Sequence, residues 1–255
     1  MSKNYEFAQM KSEDMTRNNN SLAIIPARGG SKSIKNKNTK LFNGKPLIAW
    51  TIEQAIASNI TRVVVTTDCE NTREIAIKCG AEVPYLRSEK LSSDTIGIEP
   101  VIIDVLDYLK DSESYFPSCV ALLMPTSPFR EVNDINAALS IFFDGGVSSV
   151  ISVTPAIANN NPHWMLKENS DNSVKLFNGQ NLSEISTRRQ DLPDVFIRND
   201  FIYALDPKNL YMNKPGLYGA NPKLMKVCDN RVDVDINTQL DWDVAEILFN
   251  KVNAI

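Results

Sequence analysis

Two short stretches of this chain have the residue types and spacing for phosphate and metal chemistry. The first is "AIIPARGGSKSIKNKN", where Arg28, Gly29, Gly30, Ser31 and Lys32 follow an apolar run, with Lys35, Lys37 and Lys40 just beyond. A glycine-rich turn after a first buried strand exposes backbone N–H groups, and the cations add charge, so an anionic ligand fits there. The turn is neither a GxGxxG fingerprint nor a GxxxxGK[ST] loop. Taken alone it reads equally as a phosphate grip or a solvated basic turn, and its place after the first strand tilts it toward phosphate. The second stretch is "VDVDIN", with Asp233, Asp235 and Asn237 at alternate positions. On an extended segment these point to one side. They therefore offer three oxygen ligands to a hard cation such as Mg²⁺, or else form a solvated polar edge.

Weaker candidates lie at expected strand ends: Arg87, Asp94 and Thr95 in "RSEKLSSDT", and Thr126 and Ser127 in "MPTSPFR". Ser, Thr and Asp are ordinary loop residues. Arg87 and Arg130 stand out, because a guanidinium presents a planar fork to phosphate or carboxylate. His163 is the only histidine. With no Ser or Cys partner indicated, it reads as a surface residue without a catalytic role.

The elements that must position these residues alternate. Strands are expected at 22–25, 62–68, 119–124 and 147–153, with an extended piece at 82–87. Helices are expected at 45–58, 69–80, 99–110 and 132–143. Pro46 suits a helix start, and Ile48, Ile52, Ala55 and Ile56 recur at helical spacing. Val101, Ile102, Val105, Leu106 and Leu109 form a second stripe. Strand–helix alternation predicts an α/β fold, a mostly parallel sheet with helices on both faces, whose ligands sit outside the carboxyl ends of the strands. Four loops then share one crevice: 28–38, 66–68, 87–95 and 125–130. Alternation fails from about 154 to 199, a polar stretch expected to protrude as a β-rich arm. A strand resumes at 201–205. A final helix follows, with Leu240, Val244, Ile247 and Leu248 predicted on its buried side.

The bulk properties narrow the function classes. With 255 residues and 43% hydrophobic content the chain fills a substantial core without staples. A net charge of -4 disfavours a general nucleic-acid or membrane-surface binder. The four cysteines (Cys69, Cys79, Cys119, Cys228) form no CxxC or Cys/His group and read as reduced. A cytoplasmic address is the default. Residues 1–20 carry no run of signal-peptide length and are expected to be a flexible tail, leaving 21–255 as one domain.

With these residues assembled, the chain resembles the CMP-sialic acid synthetases (acylneuraminate cytidylyltransferases), a family that includes legionaminate and pseudaminate cytidylyltransferases. The resemblance runs from Leu22 to the C-terminal helix through eight pieces in order: "IIPARGGSKSIKNKN", "GKPLIAWTIEQA", "VVVTTD", "GAEVPYLRSEKLSSDT", "LLMPTSPFR", "RRQDLPD", "RNDFIYAL" and "VDVDINTQLDW". It implies a Rossmann-like nucleotidyltransferase, a three-layer sandwich, that uses CTP and Mg²⁺. It also implies a homodimer whose arm, 154–199, reaches over the partner's active site.

Carried over residue by residue, Arg28, Gly29, Gly30, Ser31 and Lys32 fall on the loop that holds the CTP phosphates. Asn38 and Arg87 fall on nucleotide contacts, with Asp94 and Thr95 beside them. Met124, Thr126, Ser127, Asn199 and Tyr203 fall on the sugar side. Arg189 and Gln190 match the arm's Arg-Gln pair near the sugar acid. Asp233 and Asp235 fall on the metal-binding acidic pair, although an ungapped register pairs Asp235 with Asn237. Arg28, Lys32 and Asp235 are the expected catalytic residues.

The departures are informative. Ser33 replaces a glycine, Ile98 a serine, and Met124 a pocket glutamine, while Trp164 stands near a position that can be lysine. The apolar changes on the sugar side suggest a sugar acid with fewer hydroxyls and a terminal methyl, because a buried polar group that loses its partner costs about 1–3 kcal/mol. The implied reaction gives a CMP-sugar and pyrophosphate for cell-surface glycan biosynthesis, in the EC 2.7.7 class. A sugar-acid nucleotidyltransferase acting on the eight-carbon acid Kdo and a non-catalytic nucleotide-binding protein remain the alternatives. No nucleic-acid or membrane partner is expected.

Overall fold

The computed structural model describes residues 19–227 and 233–252. The expected tail lies outside the described residues except for Asn19 and Asn20, and so does Cys228. Asn20 belongs to the folded body: its side chain accepts from Tyr115 Oη at 2.7 Å and its carbonyl from Ser118 N at 2.8 Å.

The main sheet is built from β1 (Ser21–Pro26), β4 (Arg62–Thr66), β5 (Cys119–Leu122), β6 (Ser149–Pro155), β9 (Phe196–Leu205) and β10 (Pro222–Lys226). Its order is β10-β6-β9-β5-β1-β4. Pairings β1–β4, β1–β5 and β10–β6 are parallel, whereas β9 runs antiparallel to both β5 and β6. The reversal has a local cause. No crossover helix joins β6 to β9; the arm leaves β6 and returns beside it, and such a return pairs antiparallel.

Successive side chains of β1 face opposite ways. Ala23 and Ile25 join a core with Ile48, Ile52, Ala55, Ile135 and Ala138. That core packs α1 (Leu47–Ile56), α2 (Glu70–Lys78) and α4 (Val132–Gly145) on one face. Leu22 and Ile24 join Ile102, Val105, Leu106 and Leu109 of α3 (Ile98–Glu113) on the other. Three layers result, as expected from the alternation. The α3 stripe is buried as predicted. In α1, by contrast, Ile56 is exposed and Leu47 is buried, because the helix presses Leu47 toward Phe42 in a third cluster.

The third cluster overturns the stripe expected for α5 (Gln239–Val252). Leu240 is 72% exposed, and Val244 and Ile247 also face outward. Trp242 and Ala245 are buried with Phe42, Leu47 and Ile236 instead, and Phe249 packs against them. Phe42 meets Trp242 and Phe249 edge-on with ring centroids 5.5 and 5.3 Å apart. Rings contribute more area and geometry than Leu or Val, so the aromatic face docks.

Between β6 and β9 the residues form little regular structure. A short hairpin of β7 (Leu166–Glu168) and β8 (Val174–Leu176) is joined by three 3₁₀ turns. Another two-residue pair, β2 (Leu41–Phe42) and β3 (Lys45–Pro46), leads into α1. Within the described residues no helix is long and apolar enough to cross a membrane.

Candidate active site

Strand β1 has β4 on one side and β5 on the other. The chain thus changes direction of travel across the sheet at the carboxyl end of β1, where open α/β sheets bind ligands. A cavity of about 260 Å³ opens there, lined by Pro26, Arg28, Arg87, Asp94, Ile98 and Met124, among others.

The basic loop leaves β1 under tight local control. Ala27 N donates to Thr66 O at 3.0 Å, and Gly29 N donates to the Asp68 carboxylate at 2.8 Å. A Cβ on Gly29 would lie 2.6 Å from Cys69 Cβ, so this close approach requires glycine. Gly30 has open space around it. The expectation of free loop N–H groups needs correcting at two positions: Gly29 N is taken by Asp68, and Ser31 N donates to Gly29 O at 3.1 Å. Side-chain charge is the larger resource. Asn38 is buried and its amide donates to Arg28 O at 3.0 Å, which fixes the backbone that carries Arg28.

Arg28 and Lys32 both form ion pairs with Asp94, one on each carboxylate oxygen. Hydrogen bonds from Lys32 and then Arg28 hold the Asp94 carboxyl below the ordinary aspartate range. Arg87 is buried, and desolvation lowers its pKa against the opposing field of Asp68. Its Nε donates to Ser92 Oγ at 3.1 Å. Thr95 is exposed and shares a hydroxyl contact with Ser93.

The acidic segment reaches the loop from the far end of the chain. Ile236 N donates to Thr126 O at 3.0 Å, and Lys37 Nζ donates to Ile236 O at 2.8 Å. Ser33 donates through its hydroxyl to Asn237 O. Asn237 donates from its amide to one oxygen of Asp235, while the other, Oδ1, is buried and meets no donor. Asp233 instead accepts from Thr154 Oγ1 at 3.2 Å. A buried carboxylate oxygen without a partner is costly, and a hard cation is the partner its chemistry suits. Among the described residues no group of three or more His, Cys, Asp or Glu side chains forms a metal cage. A cation held by one or two carboxylates together with substrate phosphates is the usual Mg²⁺ arrangement.

Lys37 is the residue that sequence reasoning passed over. It leaves the basic loop to reach Ile236 O of the acidic segment; burial lowers its pKa, Asp235 pulls it up, and Arg28 pushes it down. Its signal was present as one of several lysines in a row, with nothing to separate it from solvated neighbours.

The sugar-side candidates divide. Met124 lines the cavity with Arg28. Ser127 is fully buried and donates to Asp200 O at 3.3 Å. Thr126 is buried beside Ile236. Between the Val153–Arg198 and Ile151–Tyr203 pairs, β9 carries extra residues opposite Ser152. This bulge holds Asn199 and Asp200, the latter at φ +54°. Tyr203 donates to the Asp200 carboxylate, and burial raises its pKa. Asn199 is buried with its amide nitrogen unpartnered.

Arg189 lies elsewhere, lining a second cavity of about 310 Å³ with Asn161, Asp194, Phe196 and Lys226, while Gln190 is exposed. The single chain therefore does not bring the Arg-Gln pair to the first cavity. Trp164 donates to Ser186 O at 2.6 Å inside the arm. His163 is half-buried rather than free on the surface, with its ring nitrogen 3.1 Å from Asn161 Oδ1.

Arg130 is not a ligand fork. It is 2% exposed and donates to Phe201 O, Met124 O, Thr51 Oγ1 and Gln54 Oε1. Burial lowers its pKa to about 9, so it stays charged at neutral pH. It ties the 124–130 loop to β9 and α1.

A mostly parallel α/β sheet with cations gathered at its switch point, and an acidic segment across the loop, defines a nucleotide-handling enzyme. The chain belongs to the cytidylyltransferase family, whose model it matches over residues 22–240; it is a nucleotidyltransferase. It is 36% identical over 228 residues to the CMP-N,N'-diacetyllegionaminic acid synthase of Legionella pneumophila, covering 89% of this chain and 95% of that one. It is 30% identical over 233 residues to a pseudaminic acid cytidylyltransferase of Campylobacter jejuni, covering 91% and 97%. Among solved structures it resembles CMP:2-keto-3-deoxy-manno-octonic acid synthetase complexed with CTP, with a TM-score of 0.65 and 16% identity over 91% of this chain and 99% of that one. At that identity the likeness is one of fold.

Proposed function

We propose that the protein activates a nine-carbon 2-keto sugar acid with CTP, forming the CMP-sugar and pyrophosphate. The observation that carries this reading is that Arg28 and Arg87 line one cavity at the switch point, with Lys32 paired to Asp94 on its wall and the unpartnered Asp235 oxygen across the loop.

The anomeric 2-hydroxyl attacks the α-phosphorus and pyrophosphate leaves. Such a displacement needs positioning and charge neutralisation more than covalent help. Arg28 and Lys32 bind the departing phosphates, with Arg87 behind them. Lys37 adds charge between this grip and the acidic segment. Asp235 is the firm ligand for Mg²⁺, joined by Asp233 or Asn237; a bound Mg²⁺ neutralises phosphate charge and lowers the pKa of a coordinated hydroxyl. Met124 faces the sugar from the cavity wall, and the buried Thr126, Ser127, Asn199 and Tyr203 support that side. Met124 in place of glutamine favours a sugar acid with a terminal methyl, such as legionaminic or pseudaminic acid. Arg189 and Gln190 meet the sugar carboxylate from the partner subunit of a homodimer, which accounts for their distance from the cavity of their own chain. A guanidinium pairs bidentately with a carboxylate.

Pyrophosphate release, measured with four nucleotides against a panel of 2-keto sugar acids, tests the reading. CTP with a legionaminic- or pseudaminic-type acid is expected to give the fastest turnover. Faster turnover of sialic acid removes the methyl preference, and a best rate with Kdo transfers the enzyme to eight-carbon acids.

A further inference from the structure

Asp94 lines the cavity as an anion in the middle of the phosphate grip. Its Oδ1 meets Arg28 and its Oδ2 meets Lys32. The two carboxylate oxygens thus span the two cations much as two phosphoryl oxygens would.

The segment that carries it is lightly attached. Ser92 is anchored by Arg87 Nε at 3.1 Å, and Gly97 begins α3 as its N-cap. Between them Ser93, Asp94 and Thr95 are all exposed. Among the described residues, Ser93 and Thr95 bond within the segment, through their hydroxyls at 3.3 Å and through Ile96 N to Ser93 O at 3.4 Å. Among the described residues, the ion pairs of Asp94 are what join residues 93–95 to the phosphate loop.

We propose that Asp94 is an internal stand-in for phosphate. Its carboxylate holds Arg28 and Lys32 in the empty enzyme, is displaced when the triphosphate enters, and re-forms the pairs as pyrophosphate leaves. The proposal rests on the nucleotidyltransfer reading above. Two physical facts support it. Exposed ion pairs are weak, so a polyphosphate carrying several charges displaces one carboxylate. A carboxylate left between bound phosphates is repelled by them, so the two states exclude each other. The latch weakens phosphate binding, and the same competition speeds release of the product, a step that often limits turnover.

The test is calorimetric titration of the intact protein with inorganic pyrophosphate and with CTP, without sugar acid. Asp94→Asn is expected to bind pyrophosphate about five-fold tighter at low salt. Asp94→Glu is expected to return affinity toward that of the unmodified protein. In pre-steady-state kinetics with substrate in excess, Asp94→Asn is expected to show a burst of product followed by slower cycling. Equal or weaker pyrophosphate binding by Asp94→Asn overturns the latch and makes Asp94 a residue that only orients the cations. If the unmodified protein binds neither pyrophosphate nor CTP, the nucleotidyltransfer reading falls as well.

Discussion

Arg28 and Asp235 sit at opposite ends of the sequence and on either side of one loop in the fold. Each is expected to matter through charge. Arg28→Ala and Asp235→Asn should each lower kcat/KM for CTP at least ten-fold, about 1.4 kcal/mol of transition-state stabilisation, as read in steady-state pyrophosphate release. Gly29 acts through space instead. A Cβ there would lie 2.6 Å from Cys69 Cβ, so Gly29→Ala should displace the loop and destabilise the fold by about 1–3 kcal/mol. Adding Cys69→Gly should recover much of that loss in a urea melt. The glycine pair and the cations were legible in the sequence as one charged turn after a first strand, which alone read equally as a phosphate grip or a solvated loop and leaned toward phosphate by its position. The division of labour among them was not. Asp94 was expected beside the nucleotide, with no sign that it pairs with Arg28 and Lys32, and Arg130 was expected as a fork and is a buried strut. A side chain's partner depends on contacts dozens of residues away, which no local pattern encodes.

At the scale of elements, two anchors can be tested apart from chemistry. Trp242 docks α5 against Phe42, and Trp242→Ala should cost about 3–5 kcal/mol. Because Ile236 packs in the same cluster, that variant should also loosen the acidic segment and raise the Mg²⁺ concentration needed for half-maximal rate. Arg62 bonds Glu82 and Glu113 from the start of β4. Its hydrogen bonds hold the Glu113 carboxyl below the ordinary range. A depressed carboxylate stabilises the fold above its unfolded pKa and loses that contribution as pH falls through the folded value. Arg62→Met should therefore lower Tm at neutral pH, with the gap to the unmodified protein closing as pH drops below the usual carboxylate range. Helices α1 and α3 could be read from periodicity. The face of α5 could not, because Leu240, Val244 and Ile247 scored as apolar while the partner surface on Phe42 and Leu47 suited rings.

The whole molecule is where the arm belongs. Phe177 is 62% and Ile157 61% exposed, and Leu166 and Val174 lie outward on the same excursion. Exposed apolar clusters of this kind mark interaction surfaces. In the proposed homodimer they are covered by the partner. Phe177→Asp should shift the protein toward monomer in sedimentation, and it should raise KM for the sugar acid more than KM for CTP, because Arg189 and Gln190 would no longer reach the neighbouring site.

The sequence by itself determined the alternation of strands and helices, the crevice at the strand ends, and the family. These rest on local periodicity and on residues that stay together along the chain. Tertiary structure alone decided that β9 runs against its neighbours, that Lys37 and Ser33 touch the acidic segment two hundred residues away, and that Asp94 occupies the grip of Arg28 and Lys32. Such contacts form only after the sheet has brought distant loops together, and Coulomb attraction and burial act on distance in space, not on separation along the chain.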